Sequence, residues 1–219
     1  MTNEAMPPIP ERPLLQGERV WLRPLEERDI PAFVAGVNDT EVGGLAGYGM
    51  PMSVEQAKEW LKHTGEKGHR GEGHFFAVCE LGDDRFIGTV WLKDINLHFG
   101  SGELAIFMDH DHIGAGWGTD AQRALLRFAF VNLGLERVFL TVYASNERAV
   151  RSYEKLGFRR EGLMRRSWRG PRGLEDSLLM AILREEWLQA SRGATEAPKT
   201  GWRPQRAGTI PPCPRNGAW

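Results

Sequence analysis

Cysteine is scarce in this chain, and so are long apolar runs. The 219 residues include only two cysteines, Cys79 and Cys213, one in an expected strand and one in an expected tail, so no disulfide framework is expected. No apolar run reaches the roughly 20 residues that a helix needs to cross a bilayer. Residues 1–4 lack the basic segment with which a secretion signal begins. These absences favour a cytoplasmic protein without membrane contact.

Net charge is also small, but it is unevenly distributed. The chain carries −1 at pH 7; residues 159–219 hold 12 basic against 6 acidic residues, and residues 1–158 hold 16 against 23. The acidic surplus of residues 1–158 favours a cationic partner. The arginines of residues 159–219 could attract phosphates or simply form a solvated sheet face. They are not accompanied by a recognisable nucleic-acid-reading helix or RNA-binding aromatic motif, so no nucleic-acid partner is expected.

The two ends of the chain differ in composition from its centre. Residues 1–13 contain four prolines, and residues 192–219 are rich in Gly, Pro, Thr and basic residues without apolar periodicity. Such segments cannot supply a hydrophobic core. We therefore expect a flexible amino-terminal arm over 1–13, one domain over 14–191, and a disordered or loosely docked tail over 192–219.

Apolar periodicity and turn residues predict the elements of the central domain. Strands are predicted near residues 19–24, 74–81, 86–94, 102–108, 137–143, 158–167 and 175–182. Helices are predicted near residues 27–37, 53–66, 117–133 and 146–156. The third helix connects strands 102–108 and 137–143, which should therefore be parallel neighbours. The pattern indicates an α/β sheet with mixed pairing.

Three glycines at alternate positions, Gly114, Gly116 and Gly118, lie where a predicted strand gives way to a predicted helix. At such a junction the first helical N–H groups are unpaired and the helix dipole favours an anion, although the glycines would also suit a simple chain reversal. No lysine follows the last glycine, as a P-loop requires, and the spacing differs from the dinucleotide fingerprint G-x-G-x-x-G. The pyrophosphate of another cofactor is the remaining candidate ligand.

A second motif follows the predicted strand 137–143. Residues 146–158 read N-E-R-A-V-R-S-Y-E-K-L-G-F, a short amphipathic helix closed by Gly157. Together with the glycine turn, this segment resembles the GNAT superfamily of acetyl-CoA-dependent N-acetyltransferases. The family loop (Gln/Arg)-x-x-Gly-x-(Gly/Ala) falls on residues 113–118, and the family element N-x-x-A-x-x-x-Y-x-x-x-G-F falls on residues 146–158.

The resemblance extends from Glu18 to about Leu183. Within the family, this segment is similar to the branch of ribosomal-protein alanine and spermidine acetyltransferases. It implies a mixed, centrally splayed sheet of about seven strands flanked by about four helices, with acetyl-CoA bound as co-substrate in the splay. One departure stands out, because Ile113 occupies the position that usually holds Gln or Arg. The cofactor-binding residues implied are Phe107, Met108, Ile113, Gly114, Ala115, Gly116, Trp117, Gly118, Thr119 and Asn146.

Two residues are candidates for proton transfer. The acceptor amine must lose a proton before it can attack, and Glu103 is the candidate base, directly or through water, although it could be an ordinary strand glutamate. Tyr153 falls on the acid of the family, which would protonate or hydrogen-bond the departing thiolate; the alternative is a core aromatic. For Asn146 the resemblance implies a contact with the pantetheine of the cofactor, although the residue is also typical of a helix N-cap.

The resemblance implies transfer of an acetyl group to a primary amine by direct attack in a ternary complex. A peptide or protein α-amine is the expected acceptor. A polyamine, an aminoglycoside or another small amine is the alternative, as is a non-catalytic acyl-CoA sensor. A homodimer is compatible with the sequence, and residues 46–52 and 74–76 are candidates for the acceptor pocket. No metal is expected, because the polar loop at 110–112 has no third ligand in register.

Overall fold

A computed structural model describes residues 15–39, 42–45, 51–69, 71–170 and 173–193. The predicted arm at 1–13 and the tail from 194 onward lie outside these residues. Within the described part, none of the helices combines the length and the apolar character that a membrane span requires.

Seven strands form one sheet, and each lies within a few residues of its predicted position. They are β1 (Val20–Pro24), β2 (His74–Glu80), β3 (Phe86–Asn96), β4 (Ser101–Met108), β5 (Arg137–Tyr143), β6 (Arg159–Gly170) and β7 (Gly173–Leu183). The order across the sheet is β1-β2-β3-β4-β5-β7-β6. Of the neighbouring pairs only β4 and β5 are parallel, which confirms the predicted crossover.

The helices confirm the four predicted ones and add two. They are α1 (Ile30–Val37), α2 (Val42–Leu45), α3 (Val54–His69), α4 (Trp117–Arg127), α5 (Glu147–Lys155) and α6 (Arg184–Gly193). A 3-10 turn precedes α1 and a π-helical turn extends α4, which accounts for the longer predicted ranges. The additions are α2 and α6, and α6 ends two residues beyond the boundary predicted at 191.

Successive side chains of β4 point to opposite faces of the sheet. Ile106 and Met108 point towards the start of α4, where a Cβ added at Gly118 would lie 3.2 Å from Met108 Cγ. Phe107 points the other way and packs edge-on against Phe33 of α1, with ring centroids 6.4 Å apart. The sheet is therefore covered by α4 on one face and by α1 on the other.

β4 and β5 pair over only their first three residues. The registered pairs are Ser101 with Arg137, Gly102 with Val138, and Glu103 with Phe139. Beyond Glu103 the two strands diverge, while β4 stays paired to β3 as far as Met108. This is the central splay that the family resemblance implies, and it leaves one edge of β4 without a neighbouring strand.

Candidate active site

The splay opens a cavity of about 390 Å³. Its wall is formed by β4 beyond Glu103, the glycine turn and first turns of α4, the end of β5, and α5. Most of the residues singled out from the sequence are brought together here. The lining includes Glu103, Phe107, Met108, Ile113, Gly114, Gly116, Gly118, Thr119, Asn146 and Tyr153.

The glycine turn provides an open, donor-rich surface. Gly114 and Gly116 have φ angles of 87° and 90°, a left-handed conformation that favours glycine. A Cβ added at either position would meet nothing within 4 Å, so the space above the turn is free. Gly116 is the N-cap of α4 and provides no side-chain cap. The first N–H groups of α4 are thus left for an anion, and the turn fits a pyrophosphate.

Contacts from the segment before β1 hold this turn in place. The buried Asp120 carboxylate accepts backbone hydrogen bonds from Glu18, Arg19 and Val20 at 3.0, 2.8 and 3.1 Å. In return, Arg19 Nη1 donates to the Ala115 carbonyl at 2.8 Å. The Arg19 guanidinium also lies 3.7 Å from the centroid of the Trp117 ring. Ala115 and Trp117 are accordingly not on the cavity wall, and these contacts instead brace the turn.

Asn146 performs the local role that its position predicts. Its Oδ1 accepts a hydrogen bond from Ala149 N at 3.1 Å and so caps α5, and the residue also lines the cavity. Across the cavity, Thr119 and Ser152 are joined by a hydroxyl hydrogen bond of 3.0 Å between α4 and α5. The two helices therefore approach each other closely at the wall of the cavity.

Tyr153 is both a buried aromatic residue and part of the cavity wall. Its ring is 7% exposed and packs edge-on against Phe158, with centroids 5.8 Å apart, yet the residue lines the cavity. Burial raises the pKa of the Tyr153 hydroxyl well above its usual value of about 10. The hydroxyl is consequently protonated at neutral pH and can donate a hydrogen bond.

Glu103 lies where β4 and β5 separate. Its Oε2 lies 3.1 Å from Nζ of Lys93, the residue registered opposite on β3. Lys93 also lines the cavity and was missed by sequence reasoning, because a cross-strand pair depends on register. The Glu103 carboxylate therefore has a positively charged partner on the cavity wall.

Phe107 and Met108, both implied to bind the cofactor, differ in the direction of their backbone N–H groups. Asp109 N donates to Ile87 O of β3 at 2.9 Å. Because successive N–H groups along a strand point to opposite edges, the Met108 N–H is directed away from β3, towards the cleft. Of the two, Met108 is the backbone donor that the cavity can use.

Of the remaining candidates that the structure describes, His74 does not line the cavity. The His74 ring packs edge-on against Phe128 at 5.2 Å on the opposite face from Glu103, and burial lowers its pKa. Residues 46–50 lie outside the described residues. His112 reaches the cavity wall, with Nε2 3.3 Å from Glu80 Oε1. Among the described residues, no group of three or more His, Cys, Asp or Glu is arranged to hold a metal ion.

Several wall residues were not identified from the sequence. Three cations of α5, Arg148, Arg151 and Lys155, line the cavity on one helical face. Their spacing of three and four residues is the signal that could have revealed them. Gln122 of α4 also lines the cavity, and it is a buried polar residue inside an apolar helical stripe.

Comparison with known proteins agrees with this geometry. A family model described as an acetyltransferase (GNAT) domain matches residues 19–159. The chain belongs to the GNAT acetyltransferases, a family that uses acetyl-CoA. The protein is an acetyl-CoA-dependent N-acetyltransferase.

Its relatives share both sequence and fold. The chain is 28% identical over 173 residues to a spermidine N(1)-acetyltransferase of Vibrio cholerae serotype O1, covering 79% of this chain and 98% of the relative. It is 29% identical over 176 residues to the probable N-acetyltransferase YjcK of Bacillus subtilis, covering 78% and 97%. The solved structure of a Vibrio cholerae spermidine N-acetyltransferase in complex with CoA and spermine has a TM-score of 0.71 at 26% identity, covering 78% and 98%.

Proposed function

We propose that this N-acetyltransferase acts on the α-amine of a peptide or protein, which attacks acetyl-CoA directly in a ternary complex. The supporting observation is that one cavity joins the glycine turn, Glu103 and Tyr153. Acetyl-CoA supplies the acetyl thioester. The chain binds it, directs the amine and handles the protons.

The glycine turn and α5 together bind the phosphates in this proposal. Ile113 cannot supply the side-chain contact usual at its position, so the backbone N–H groups of the turn provide the central contacts. Arg148 and Lys155 line the cavity and form no ion pair with a described residue, whereas Arg151 is paired with Glu147 at 2.9 Å. These cations supply charge that Ile113 lacks.

Glu103 and Tyr153 divide the handling of protons and developing charge. The amine nitrogen forms a bond to the thioester carbon, the carbon–sulfur bond breaks, and the Met108 N–H hydrogen-bonds the carbonyl oxygen as negative charge develops. Glu103 takes the proton of the attacking amine, directly or through water. The Tyr153 hydroxyl donates a hydrogen bond to the departing thiolate, which then takes a proton from water, and the products are the amide and CoA thiol.

The charges of the cavity support a singly charged acceptor. Glu103 is the only carboxylate among the described lining residues, and Lys93 is paired with it. Spermidine carries three amines and would require more negative charge nearby. An α-amine has a pKa of about 7.8, so roughly one molecule in seven is neutral at pH 7 and a single carboxylate suffices. Spermidine is the second candidate, because the Vibrio cholerae relative is named as a spermidine acetyltransferase.

An acceptor screen tests this proposal. Thiol release from acetyl-CoA is measured with a lysine-containing peptide, with the same peptide blocked at its α-amine, and with spermidine, and mass spectrometry locates the acetyl group. The proposal expects turnover on the free α-amine and none on the blocked peptide. Faster turnover of spermidine than of the free peptide would transfer the assignment to the polyamine.

The base is tested by the variant Glu103→Gln. Because deprotonated amine becomes scarcer as pH falls, loss of the base should reduce turnover more at pH 6 than at pH 8.5. The measurement is the pH dependence of kcat/KM, with Asp111→Asn, an exposed carboxylate outside the cavity, as control. A variant profile parallel to that of the wild type would remove Glu103 from proton transfer.

A further inference from the structure

Gln122 is an unsatisfied polar group on the wall of the cavity. The residue is 3% exposed, and its Oε1 is buried without a hydrogen-bond partner among the described residues. Its helix neighbours Ala121 and Leu125 are fully buried apolar residues. An amide in such surroundings costs folding free energy that an apolar side chain of similar size would not cost.

The place of Gln122 along α4 indicates what could satisfy it. Gln122 follows Gly118 by four residues and Thr119 by three, so the three share one helical face, and all of them line the cavity. At 1.5 Å per residue, Gln122 lies about 9 Å along the helix axis from Gly116. A ligand whose phosphates occupy the turn would therefore pass Gln122 with the arm that extends from them.

We propose that the Gln122 side chain turns its Oε1 towards the cavity and accepts a hydrogen bond there from an amide N–H of the pantetheine arm of CoA. That arm carries two secondary amides, and each N–H needs an acceptor once the cavity wall excludes water from it. Gln122 is then a cofactor-binding residue that no sequence motif marks. This inference rests on acetyl-CoA binding at the glycine turn.

The variant Gln122→Leu tests the inference, because it keeps the approximate size of the side chain and removes its amide. Calorimetry is performed with CoA, with acetyl-CoA, and with ADP, which has the pyrophosphate but no pantetheine amide. The affinities for CoA and acetyl-CoA should fall equally, by roughly fivefold to tenfold, and the affinity for ADP should not change. The melting temperature of the ligand-free variant should equal or exceed that of the wild type, because no protein partner is lost.

Two controls accompany this variant. Gln122→Met repeats the test with a more flexible apolar side chain, and Arg123→Gln alters an exposed residue of α4 outside the cavity and should change no affinity. Unchanged CoA affinity in Gln122→Leu, an equal loss for ADP, a loss confined to acetyl-CoA, or a marked fall in melting temperature would each overturn the inference.

The outcomes also separate this inference from the proposed function. Wild-type protein that binds acetyl-CoA and acetylates peptides, with a Gln122→Leu variant of equal affinity, refutes the role of Gln122 alone. A pantetheine-dependent loss of affinity, together with no turnover of any α-amine, supports Gln122 and refutes the peptide acceptor. Failure of the wild type to bind acetyl-CoA refutes both.

Discussion

At the scale of the residue, the hydroxyl of Tyr153 faces two opposing demands. Burial raises its pKa, which keeps the proton in place but makes the group a weaker acid. A thiol has a pKa of about 8.5, so complete transfer of the proton from tyrosine to thiolate is unfavourable. In the proposed mechanism Tyr153 therefore acts mainly as a hydrogen-bond donor while the carbon–sulfur bond breaks, and the released CoA gains its proton from water.

Replacing Tyr153 by phenylalanine separates donation from packing. The ring contact with Phe158 is retained and the donor is lost, so kcat should fall by roughly 10²- to 10⁴-fold with little change in acetyl-CoA affinity. Steady-state kinetics and calorimetry on the same preparation measure the two quantities. Wild-type turnover in Tyr153→Phe would show that the residue belongs only to the core.

Gly116 can be tested with a closely matched control. Gly116→Val places a side chain in the open space above the turn and should weaken acetyl-CoA binding by at least tenfold, since the backbone can no longer approach the pyrophosphate. Gly82, with φ of 112°, likewise has nothing within 4 Å of an added Cβ and lies in the turn between β2 and β3, away from the cavity. Gly82→Val imposes similar backbone strain and should leave affinity intact. An equal loss of acetyl-CoA affinity in the two variants would show that Gly116 affects binding only through the fold.

At the scale of the element, the start of α4 is held by residues about a hundred positions earlier in the chain. Asp120 binds the backbone of residues 18–20, and Arg19 binds the carbonyl of Ala115. In the first contact a side chain of α4 binds the backbone of residues 18–20, and in the second a side chain of that segment binds the backbone of the glycine turn. Movement of β1 would therefore alter the geometry of the glycine turn.

Asp120→Ala should destabilise the protein by about 3 kcal/mol, because three backbone N–H groups lose a charged acceptor. Urea denaturation measures the loss, with Asp111→Ala, an exposed acid before the glycine turn, as the control. The remaining folded protein should also bind acetyl-CoA more weakly. A destabilisation below about 0.5 kcal/mol, the ordinary range for a surface substitution, would contradict this account.

At the scale of the whole molecule, a buried ionic network links β1, the turn before α1, and the β2–β3 hairpin. Arg23 is paired with Asp29 at 2.7 Å and with Asp84 at 2.8 Å. Burial alone would lower the pKa of Arg23, but hydrogen bonds to both carboxylates raise it overall, so the guanidinium stays charged. Cys79 lies beside this network, and burial raises the pKa of its thiol to about 12.

The buried thiol predicts a specific loss of stability in alkali. The folded protein retains the Cys79 proton up to a pKa of about 12, while the unfolded chain loses it near pH 8.5. The contribution of the protonated thiol to the free energy of unfolding is complete below about pH 8.5. It is lost as pH rises towards 12, and the free energy of unfolding then falls with a slope approaching about 1.4 kcal/mol per pH unit. Between pH 8.5 and 10, before tyrosines of the unfolded chain ionise, Cys79→Ala should lose stability less steeply than the wild type. Urea denaturation at four pH values measures both slopes, and parallel slopes would contradict the prediction.

The proposed acceptor rests on the local charge of the cavity and not on the overall charge of the chain. The acidic surplus of residues 1–158 favours a cationic acceptor in general. The described wall of the cavity is instead rich in cations, with Glu103 as its single carboxylate. Net composition averages over the whole surface, whereas an acceptor amine responds to the groups within a few ångströms.

The sequence alone determined the strands, the helices α1, α3, α4 and α5, and both site motifs, because these depend on local periodicity, turn residues and short spacings. It did not reveal α2, a four-residue helix whose first N–H is bound by Asp39 at 2.8 Å, or α6, where Trp187 packs 5.5 Å from Phe130. Short helices are marginal by themselves, so tertiary contacts decide whether they form. Tertiary structure also decided the Lys93–Glu103 pair, the contacts of Asp120 and the unpaired Oε1 of Gln122. Each joins residues that are distant in sequence or depends on burial, and neither property is encoded in local spacing.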